Sequence, residues 1–146
     1  MKVQGVLATK AMGPGVITVR PEQPVREAVA LLSEHNIGAL VAVDEFEHPV
    51  GIVSERDIVR EAASNEQVFA APVSKIMTRN VITGLCQDDL KSVADTMTER
   101  RIRHLPVLDE GKLVGMISIG DVLKAQRDAY AGEVDTLQTQ ILAEGG

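Results

Sequence analysis

Two spacings of apolar residues alternate along the chain and predict alternating strands and helices. Residues 16–19 form a short β-branched run that stops before Pro21, which predicts a short strand followed by a turn. From Pro24 the apolar positions change to the spacing of one helical face, at Val25, Ala28, Val29 and Leu32. The proline suits the first turn of this helix, because a backbone N–H would be unpaired there.

The remainder of the unit is a hairpin followed by another helix. The continuous apolar run 39–43 predicts a buried strand, and residues 50–53 predict a strand that returns beside it. Ser54 then marks the expected start of a helix. The predicted order is strand, helix, strand, strand, helix.

The same order occurs twice. Residues 16–44 overlay residues 81–109 at a constant offset of 65, and residues 50–57 overlay residues 114–121 at an offset of 64. The offset changes in a surface turn, where a difference in length costs little. The overlay also pairs residues upstream, Lys10 with Lys75 and Met12 with Met77. Two similar halves predict a pseudo-twofold arrangement, in which a site made by one half has a sibling made by the other.

The second copy carries predictions of its own. Asp88 is a suitable N-cap for its first helix. Pro106 lacks the N–H that a central strand donates, so its strand is expected at a sheet edge or at a bulge. The last helix is expected to run from Asp121 to about residue 142, with a coiled-coil-like apolar seam at Leu123, Tyr130, Val134, Leu137 and Ile141.

These patterns divide the chain into four parts. The first repeat is expected over residues 8–64, a linker over 65–74, the second repeat over 75–128, and a C-terminal helix and tail over 129–146. A repeat of this size is only marginally stable alone, so the two are expected to pack together.

Composition excludes several classes of function. The net charge is −6 and only 2% of the residues are aromatic, so a basic or base-stacking surface for nucleic acid is not expected. The single cysteine, Cys86, rules out an internal disulfide, and the three histidines show no metal-ligand spacing. The N-terminus does not have the pattern of a signal sequence, and no apolar run reaches 18 residues. A cytoplasmic protein without a membrane partner is therefore expected.

A serine followed three residues later by an aspartate occurs at the same place in both copies, as Ser54 with Asp57 and Ser118 with Asp121. One interpretation is a capping box, with serine as the N-cap and aspartate at N3. The other is a binding site. A helix start after a strand offers N–H donors, the preceding glycine lets a ligand approach, and a carboxylate can accept hydrogen bonds from a ribose diol. The pattern alone leaves both open.

Basic residues are distributed unequally between the two motifs. Arg56 has Gly120 as its counterpart, whereas Arg103 and His104 have small counterparts in the first copy. Such residues could contact phosphates in sites whose symmetry has been broken. No nucleophile–base pair, carboxylate dyad or phosphate-binding glycine loop occurs in the sequence, so an enzyme is not expected.

The chain resembles the CBS-domain family, named after cystathionine β-synthase, over about residues 8–128. The resemblance rests on segments 74–78, 81–83 and 102–107 and on the two serine–aspartate motifs at 51–57 and 115–121. It implies an α+β fold of tandem β-α-β-β-α repeats. These repeats pack through their sheets with pseudo-twofold symmetry and leave two clefts.

Modules of this family commonly bind AMP, ADP, ATP, NAD(H) or S-adenosylmethionine, without an obligatory cofactor. By resemblance, Asp57 and Asp121 would hold ribose hydroxyls, with Ser54 and Ser118 near the ribose or phosphate. The phosphates would be contacted by Arg56, Arg103 and His104. Thr18 and Thr83 would line the base slots, together with the backbone around Ile37, Gly38, Ala39 and Leu40 and around Ile102, Arg103, His104 and Leu105.

The resemblance therefore predicts a non-catalytic sensor of an adenine-containing small molecule, which acts on an unknown regulated protein. The alternative is a structural interaction or oligomerisation module whose serine–aspartate motifs are only helix caps. A homodimer is expected, since modules of this family commonly pair and the apolar seam of the terminal helix would be exposed to solvent in a monomer.

Overall fold

Two three-stranded sheets with helices beside them make up the computed structural model, which describes residues 1–10 and 16–131. The elements in chain order are α1 (Val3–Thr9), β1 (Thr18–Val19), α2 (Val25–His35), β2 (Ala39–Val43), β3 (Pro49–Ser54), α3 (Glu55–Ala62), β4 (Gly84–Leu85), α4 (Leu90–Arg100), β5 (His104–Asp109) and β6 (Lys112–Ser118). A further helix, α5, covers residues 119–131. Short 3₁₀ turns at Val68–Ala70 and Val73–Lys75 lie between α3 and β4.

Both sheets have the same topology. In the first, β1 pairs with β2 in parallel and β2 pairs with β3 antiparallel; β4, β5 and β6 repeat this pattern in the second. We call residues 16–64 the first half and residues 81–131 the second half. The predicted α+β class and the duplicated β-α-β-β-α order are confirmed.

The middle strand β2 is buried on both faces. Its Leu40 and Ala42 belong to the core that α2 covers. The alternate residues point the opposite way and are at most 2% exposed: Ala39, Val41 and Val43. Protein therefore covers this second face too.

Strand β5 carries the proline that was expected at an edge or a bulge. The expectation of an edge is wrong, because β5 is the middle strand of its sheet. However, β4 pairs only with Val107 and Leu108, so one side of β5 carries no partner strand at Pro106. The register irregularity between β5 and β6 falls between Val107 and Leu108, one residue later than the proline. The missing N–H therefore disrupts no pairing with β4.

The start of α4 differs from the prediction by one residue. Its N-cap is Asp89, whose carboxylate accepts a hydrogen bond from the Ser92 N–H at 3.4 Å. Asp88, the predicted cap, instead accepts a hydrogen bond from the Leu85 N–H at 2.8 Å and closes the turn after β4. The sequence offers two adjacent aspartates here, and the predicted one was wrong.

The segments that precede the two halves are exchanged between them. Residues 1–10, the N-terminal segment, place Val3 and Val6 in the core of the second half. Residues 65–80, the central segment, add Val68, Val73 and Met77 to the core of the first half. Each half therefore completes its hydrophobic core with chain that precedes the other half.

Backbone hydrogen bonds repeat the exchange at both places. The Val3 N–H donates to the Asp88 carbonyl at 3.0 Å, and the Val73 N–H donates to the Gln23 carbonyl at 2.8 Å. Since Gln23 and Asp88 are counterparts at the offset of 65, Val3 is the counterpart of Val73. The N-terminal and central segments therefore align with each other at an offset that is five residues larger than the offset of 65 between the halves.

This register corrects the predicted pairing of Lys10 with Lys75. Leu7, not Met12, is the counterpart of Met77. Eight residues separate Leu7 from Val16, whereas three separate Met77 from Val81. Lys10 therefore belongs to a stretch that the second copy does not have, and Met12 lies outside the described residues.

Two glycines make room for the exchanged segments. A Cβ atom placed on Gly51 in β3 would lie 2.5 Å from Met77 Sδ, and one placed on Gly115 in β6 would lie 2.5 Å from Leu7 Cδ2. Both strands therefore need glycine so that a large side chain can lie against the backbone. The exchanged side chains of Leu7 and Met77 thus lie against the two glycines that the sequence had suggested a ligand approaches.

The last helix begins two residues earlier than predicted, directly after Ser118. Its Leu123 and Tyr130 are exposed, and the remaining seam positions Val134, Leu137 and Ile141 lie outside the described residues. None of the helices in residues 1–10 and 16–131 is both long and apolar enough to cross a bilayer.

We expect Gly51→Ala to lower the free energy of unfolding by about 1–3 kcal/mol, as overpacking does. The added methyl group would lie 2.8 Å from Met77 Cγ and 3.2 Å from its Cβ, so rotation of the side-chain end does not relieve the overlap. In a Met77→Ala background the same change should cost much less. Denaturant unfolding of the single and double variants measures this coupling.

The matched control is Gly5→Ala on the exposed face of α1. Its Cβ atom would meet only Met1 Cγ, at 3.8 Å, and alanine is the better helix former, so the control should be neutral or stabilising. An equal cost of Gly51→Ala with and without the Met77 side chain would show that the glycine is needed for another reason.

Candidate functional site

A cleft of about 730 Å³ opens between the two halves. The first half contributes Val16, Ile17 and residues 35–39, and the second half contributes His104, residues 114–116, Ser118 and Asp121. The N-terminal segment adds Leu7 and Lys10. We call this site the Asp121 cleft. Both halves build it, which differs from the expectation that each half makes its own site.

One wall of the cleft follows from the way α2 ends. Asn36 adopts a left-handed conformation with φ 52°, and the Ile37 N–H donates to the Leu32 carbonyl at 3.1 Å. Asparagine tolerates this conformation better than most residues, so the helix stops and the chain turns into β2. Residues 37–39 are thereby carried into the wall. Helix α4 ends in the same way at Arg101, with φ 56°.

The opposite wall carries the serine–aspartate motif of α5. The Asp121 N–H donates to Ser118 Oγ at 3.0 Å, and the Ser118 N–H donates to Asp121 Oδ2 at 2.8 Å. The motif of α3 has the same reciprocal bonds, at 3.2 Å to Ser54 Oγ and 2.9 Å to Asp57 Oδ2. Both motifs are therefore capping boxes, as one of the two interpretations predicted.

Capping leaves part of each carboxylate available. In both motifs only Oδ2 of the aspartate accepts hydrogen bonds from the residues that the structure describes. Oδ1 of Asp57 and of Asp121 therefore remains as an acceptor for a ligand hydroxyl. The two interpretations of the motif are compatible, because each uses a different oxygen.

The helix starts offer fewer N–H donors than the sequence pattern implied. The first N–H of α3, from Glu55, donates to the Gly38 carbonyl at 3.0 Å. The first N–H of α5, from Ile119, donates to the Arg103 carbonyl at 2.8 Å. These bonds tie each helix to the start of the neighbouring strand within its own half, and the cap serine takes the N–H at N3.

Lys10 reaches the Asp121 motif from the N-terminal segment. Its Nζ donates to Asp121 Oδ2 at 2.8 Å and to the Met116 carbonyl at 2.8 Å. Burial would raise the pKa of Asp121, but hydrogen bonds from Lys10 and Ser118 outweigh it and hold this pKa below its ordinary value. Asp121 is therefore ionised at neutral pH.

His104 lies where the halves meet. A Cβ atom placed on Gly38 would be 3.7 Å from its Nε2. Burial and the positive charges of Lys10 and Arg103 lower the pKa of His104 below 6.5, and Asp121 and Asp57 oppose them only in part. The imidazole is therefore mostly neutral at pH 7, so it would meet a phosphate as a neutral hydrogen-bonding group.

Comparison with known proteins identifies this architecture. The CBS domain family matches residues 7–64 and 73–128, which together are most of the chain. The chain belongs to the CBS domain family. The predicted resemblance is confirmed, and the two halves with their exchanged segments are a pair of CBS repeats.

Solved structures of CBS proteins superpose on the whole pair. ATU1752 from Agrobacterium tumefaciens is 38% identical with a TM-score of 0.80, over 86% of this chain and 99% of that one. The CBS domain pair of MJ0100, in complex with 5′-methylthioadenosine and S-adenosyl-L-methionine, is 30% identical with a TM-score of 0.77, over 88% and 98%. PAE2072 from Pyrobaculum aerophilum, complexed with AMP, is 28% identical with a TM-score of 0.72, over 83% and 89%.

The CBS pair brings six of the predicted site residues together in the Asp121 cleft: Ile37, Gly38, Ala39, His104, Ser118 and Asp121. Ser54 and Asp57 form the equivalent motif of the first repeat. Leu40 and Leu105 place their side chains in the two cores, whereas the prediction for these two residues concerned their backbone. Ile102 packs against the core of the second half, partly buried.

The other predicted residues lie away from the Asp121 cleft. Thr18 is paired with Val41 inside the first sheet. Thr83 lines a separate hollow of about 360 Å³ beside the start of α4. Arg56 and Arg103 are exposed, and neither side chain makes a hydrogen bond or ion pair with a residue that the structure describes.

Nine residues that line the cleft are not among those that sequence reasoning predicted: Leu7, Lys10, Val16, Ile17, His35, Asn36, Val114, Gly115 and Met116. Val16 and Ile17 directly precede Thr18, the residue that the sequence predicted for this strand. Leu7 and Lys10 were missed because the repeat register was extended upstream without a gap. A gap of five residues after α1 would have aligned Leu7 with Met77 and left Lys10 as an addition.

We expect His104 to make the protein less stable as the pH falls. Because the folded-state pKa lies below 6.5, the unfolded state binds more protons in the window between the two values. Stability is therefore full above about pH 7 and declines as the pH falls through this window. His104→Gln should flatten the dependence of stability on pH below about pH 7, measured by denaturant unfolding.

Comparison with the unmodified protein over the same pH range isolates the contribution of His104. A slope that His104→Gln does not change would refute the burial of a neutral imidazole between the halves.

Proposed function

We propose that this CBS pair is a non-catalytic sensor that binds an adenine nucleotide between its repeats and transmits the bound state to a partner protein. The observation that carries the proposal is the Asp121 carboxylate. It is ionised, fixed by the cap of α5, and retains Oδ1 as an acceptor in a cleft of about 730 Å³. This volume lies in the range of small-molecule sites.

The cleft has two regions that suit a nucleoside. One is apolar and includes Ile17, Ile37 and Val114, which can cover the faces of a planar base. The other is polar, with Asp121 and Ser118. The Ser118 hydroxyl accepts a hydrogen bond from the Asp121 N–H and lies beside the Asp121 carboxylate, to which its side chain also hydrogen-bonds. Carboxylate and hydroxyl together match the hydroxyls of a ribose.

The relatives support the ligand class. One similar CBS pair was crystallised with 5′-methylthioadenosine and S-adenosyl-L-methionine, and another with AMP. These ligands share adenine and a ribose. We therefore propose an adenine-containing ligand of the AMP, ADP, ATP, NAD(H) or S-adenosylmethionine class, and AMP is the probe of choice because it is the smallest of these nucleotides.

Pseudo-twofold symmetry supports a second, unequal cleft around Asp57. Ser54 Oγ lies 2.9 Å from Asp57 Oδ2 and donates its hydrogen there, whereas Lys10 takes the corresponding place at Asp121. Arg56, at the start of α3, would supply a phosphate contact in that cleft, and Gly120 is its counterpart in α5. We expect the two clefts to differ in affinity.

We also propose that the module is a homodimer, in which the last helix of each repeat, α3 or α5, contacts the second copy. Val59 on α3 and Leu123 on α5 occupy equivalent positions and are 68% and 59% exposed. Large apolar side chains repeated at equivalent positions favour a contact surface. Tyr130 extends the same helix and is 69% exposed.

Asp121→Asn should weaken AMP binding about 10-fold to 100-fold, because a neutral amide replaces a charged acceptor for the ribose hydroxyls. The amide oxygen can still cap α5, so thermal unfolding without ligand should change little. Calorimetric titration measures the affinity. Asp128→Asn, paired with Arg127 on the exposed surface of α5, is the matched control and should bind AMP normally.

The alternative function is a structural module whose motifs serve only as caps. Loss of stability in Asp121→Asn with unchanged AMP affinity would favour it. So would the absence of any thermal stabilisation by millimolar AMP, ATP, NADH or S-adenosylmethionine, since a ligand that binds only the folded state must raise the unfolding temperature.

Val59→Glu combined with Leu123→Glu should convert the dimer into a monomer, because burying two carboxylates in an apolar contact is unfavourable. Light scattering at tens of micromolar measures the mass. Phe46→Glu, in the exposed turn after β2, is the control and should remain dimeric. A monomeric unmodified chain would exclude the dimer. A dimer that survives truncation after Gln126 would place the contact in the repeats.

A further inference from the structure

We propose that Lys10 and Asp121 form a pair that recognises the cis-diol of the ligand ribose, which makes Lys10 a specificity-determining residue of one cleft only. This inference rests on the proposed function and assigns a role to a residue that lies outside the duplicated plan of the repeats. The carboxylate accepts hydrogen bonds from the diol, and the ammonium donates hydrogen bonds to it.

Lys10 is held at the cleft by two bonds that fix its ammonium group. One goes to Asp121 Oδ2 and the other to the Met116 carbonyl of β6, both at 2.8 Å. In the first half the equivalent carbonyl, that of Ile52 in β3, accepts from the Thr78 N–H at 2.8 Å. The lysine thus replaces a backbone donor of the central segment, and it brings a positive charge that the first half does not have at this place.

The hydrogen-bond donor and acceptor that the pair has left unused are those that a hydroxyl requires. An ammonium group has three N–H donors, and two of those of Lys10 are used. Asp121 Oδ2 accepts from Ser118 and Lys10, which leaves Oδ1. One donor of Lys10 and one acceptor oxygen of Asp121 therefore remain, and both side chains line the cleft. Each ribose hydroxyl is itself a donor and an acceptor, so the match is reciprocal.

A phosphate does not fit this place equally well. The Asp121 carboxylate lies in contact with the ammonium and is ionised, so an anion there would meet a negative charge at the same distance as the positive one. A neutral hydroxyl pair gains from both charges without this repulsion. The Lys10 side chain is 43% exposed, so the hydrogen bond it donates is partly screened and its contribution is moderate.

The experiment compares AMP with its 2′-deoxy and 3′-deoxy analogues by calorimetric titration of the full chain. Lys10→Met should weaken AMP about tenfold at the affected site. At least one deoxy analogue, which lacks the hydroxyl that Lys10 contacts, should change less than about twofold. The preference for AMP over that analogue should therefore fall about tenfold. Lys10→Gln keeps a neutral donor, so its AMP affinity should lie between those of the unmodified chain and of Lys10→Met.

Lys75→Met is the matched control, because it removes the exposed lysine that simple sequence register pairs with Lys10. It should leave all three affinities unchanged. Thermal unfolding of Lys10→Met without ligand reports any structural loss separately.

Other outcomes overturn the inference in distinguishable ways. Equal weakening of AMP and both deoxy analogues would show that Lys10 only supports the fold. Tighter binding of all three would show that it blocks the cleft. Normal AMP binding by Lys10→Met would remove Lys10 from recognition but leave the proposed function intact. Failure of the unmodified chain to bind AMP or either analogue would overturn the proposed function itself.

Discussion

The contact of Leu7 with Gly115 and of Met77 with Gly51 is the constraint on which the remaining structure depends. A side chain can lie this close to a strand only where the strand has no Cβ atom. Through these contacts each half receives core residues from the segment that precedes the other half. A half of this size is marginal alone, so the exchange makes the stability of each half depend on the whole chain.

The same exchange explains why the candidate site is shared and unequal. The N-terminal segment that seats Leu7 on β6 continues to Lys10, which thereby reaches Asp121. The central segment that seats Met77 on β3 has a shorter continuation, and it closes on Ile52 with its backbone at Thr78. The two repeats have similar capping boxes. They differ in chemistry because five additional residues precede the first strand, and Lys10 in this stretch contacts only the Asp121 motif.

Much of the fold could be predicted because it is encoded locally. The apolar run 39–43 and the helical spacing after Pro24 identify β2 and α2 without reference to the rest of the chain. The capping boxes were equally local, and both formed. What could not be predicted depends on distant chain. Lys10 and Asp121 are 111 residues apart, and the pairing of β4 that accommodates Pro106 is set by sheet assembly. The lining of the cleft depends on distant chain too, since packing buries Leu40 while Val16 and Ile17 line the cleft.

The central claim is that one ligand contacts both repeats at once. Titration of the isotope-labelled protein with AMP, followed by amide chemical shifts, tests it most directly. The account predicts that the largest changes occur together in residues 36–39 of the first half and in residues 114–121 of the second, along one saturation curve. Changes confined to a single half, or centred on the hollow beside Thr83, would contradict a site built between the repeats.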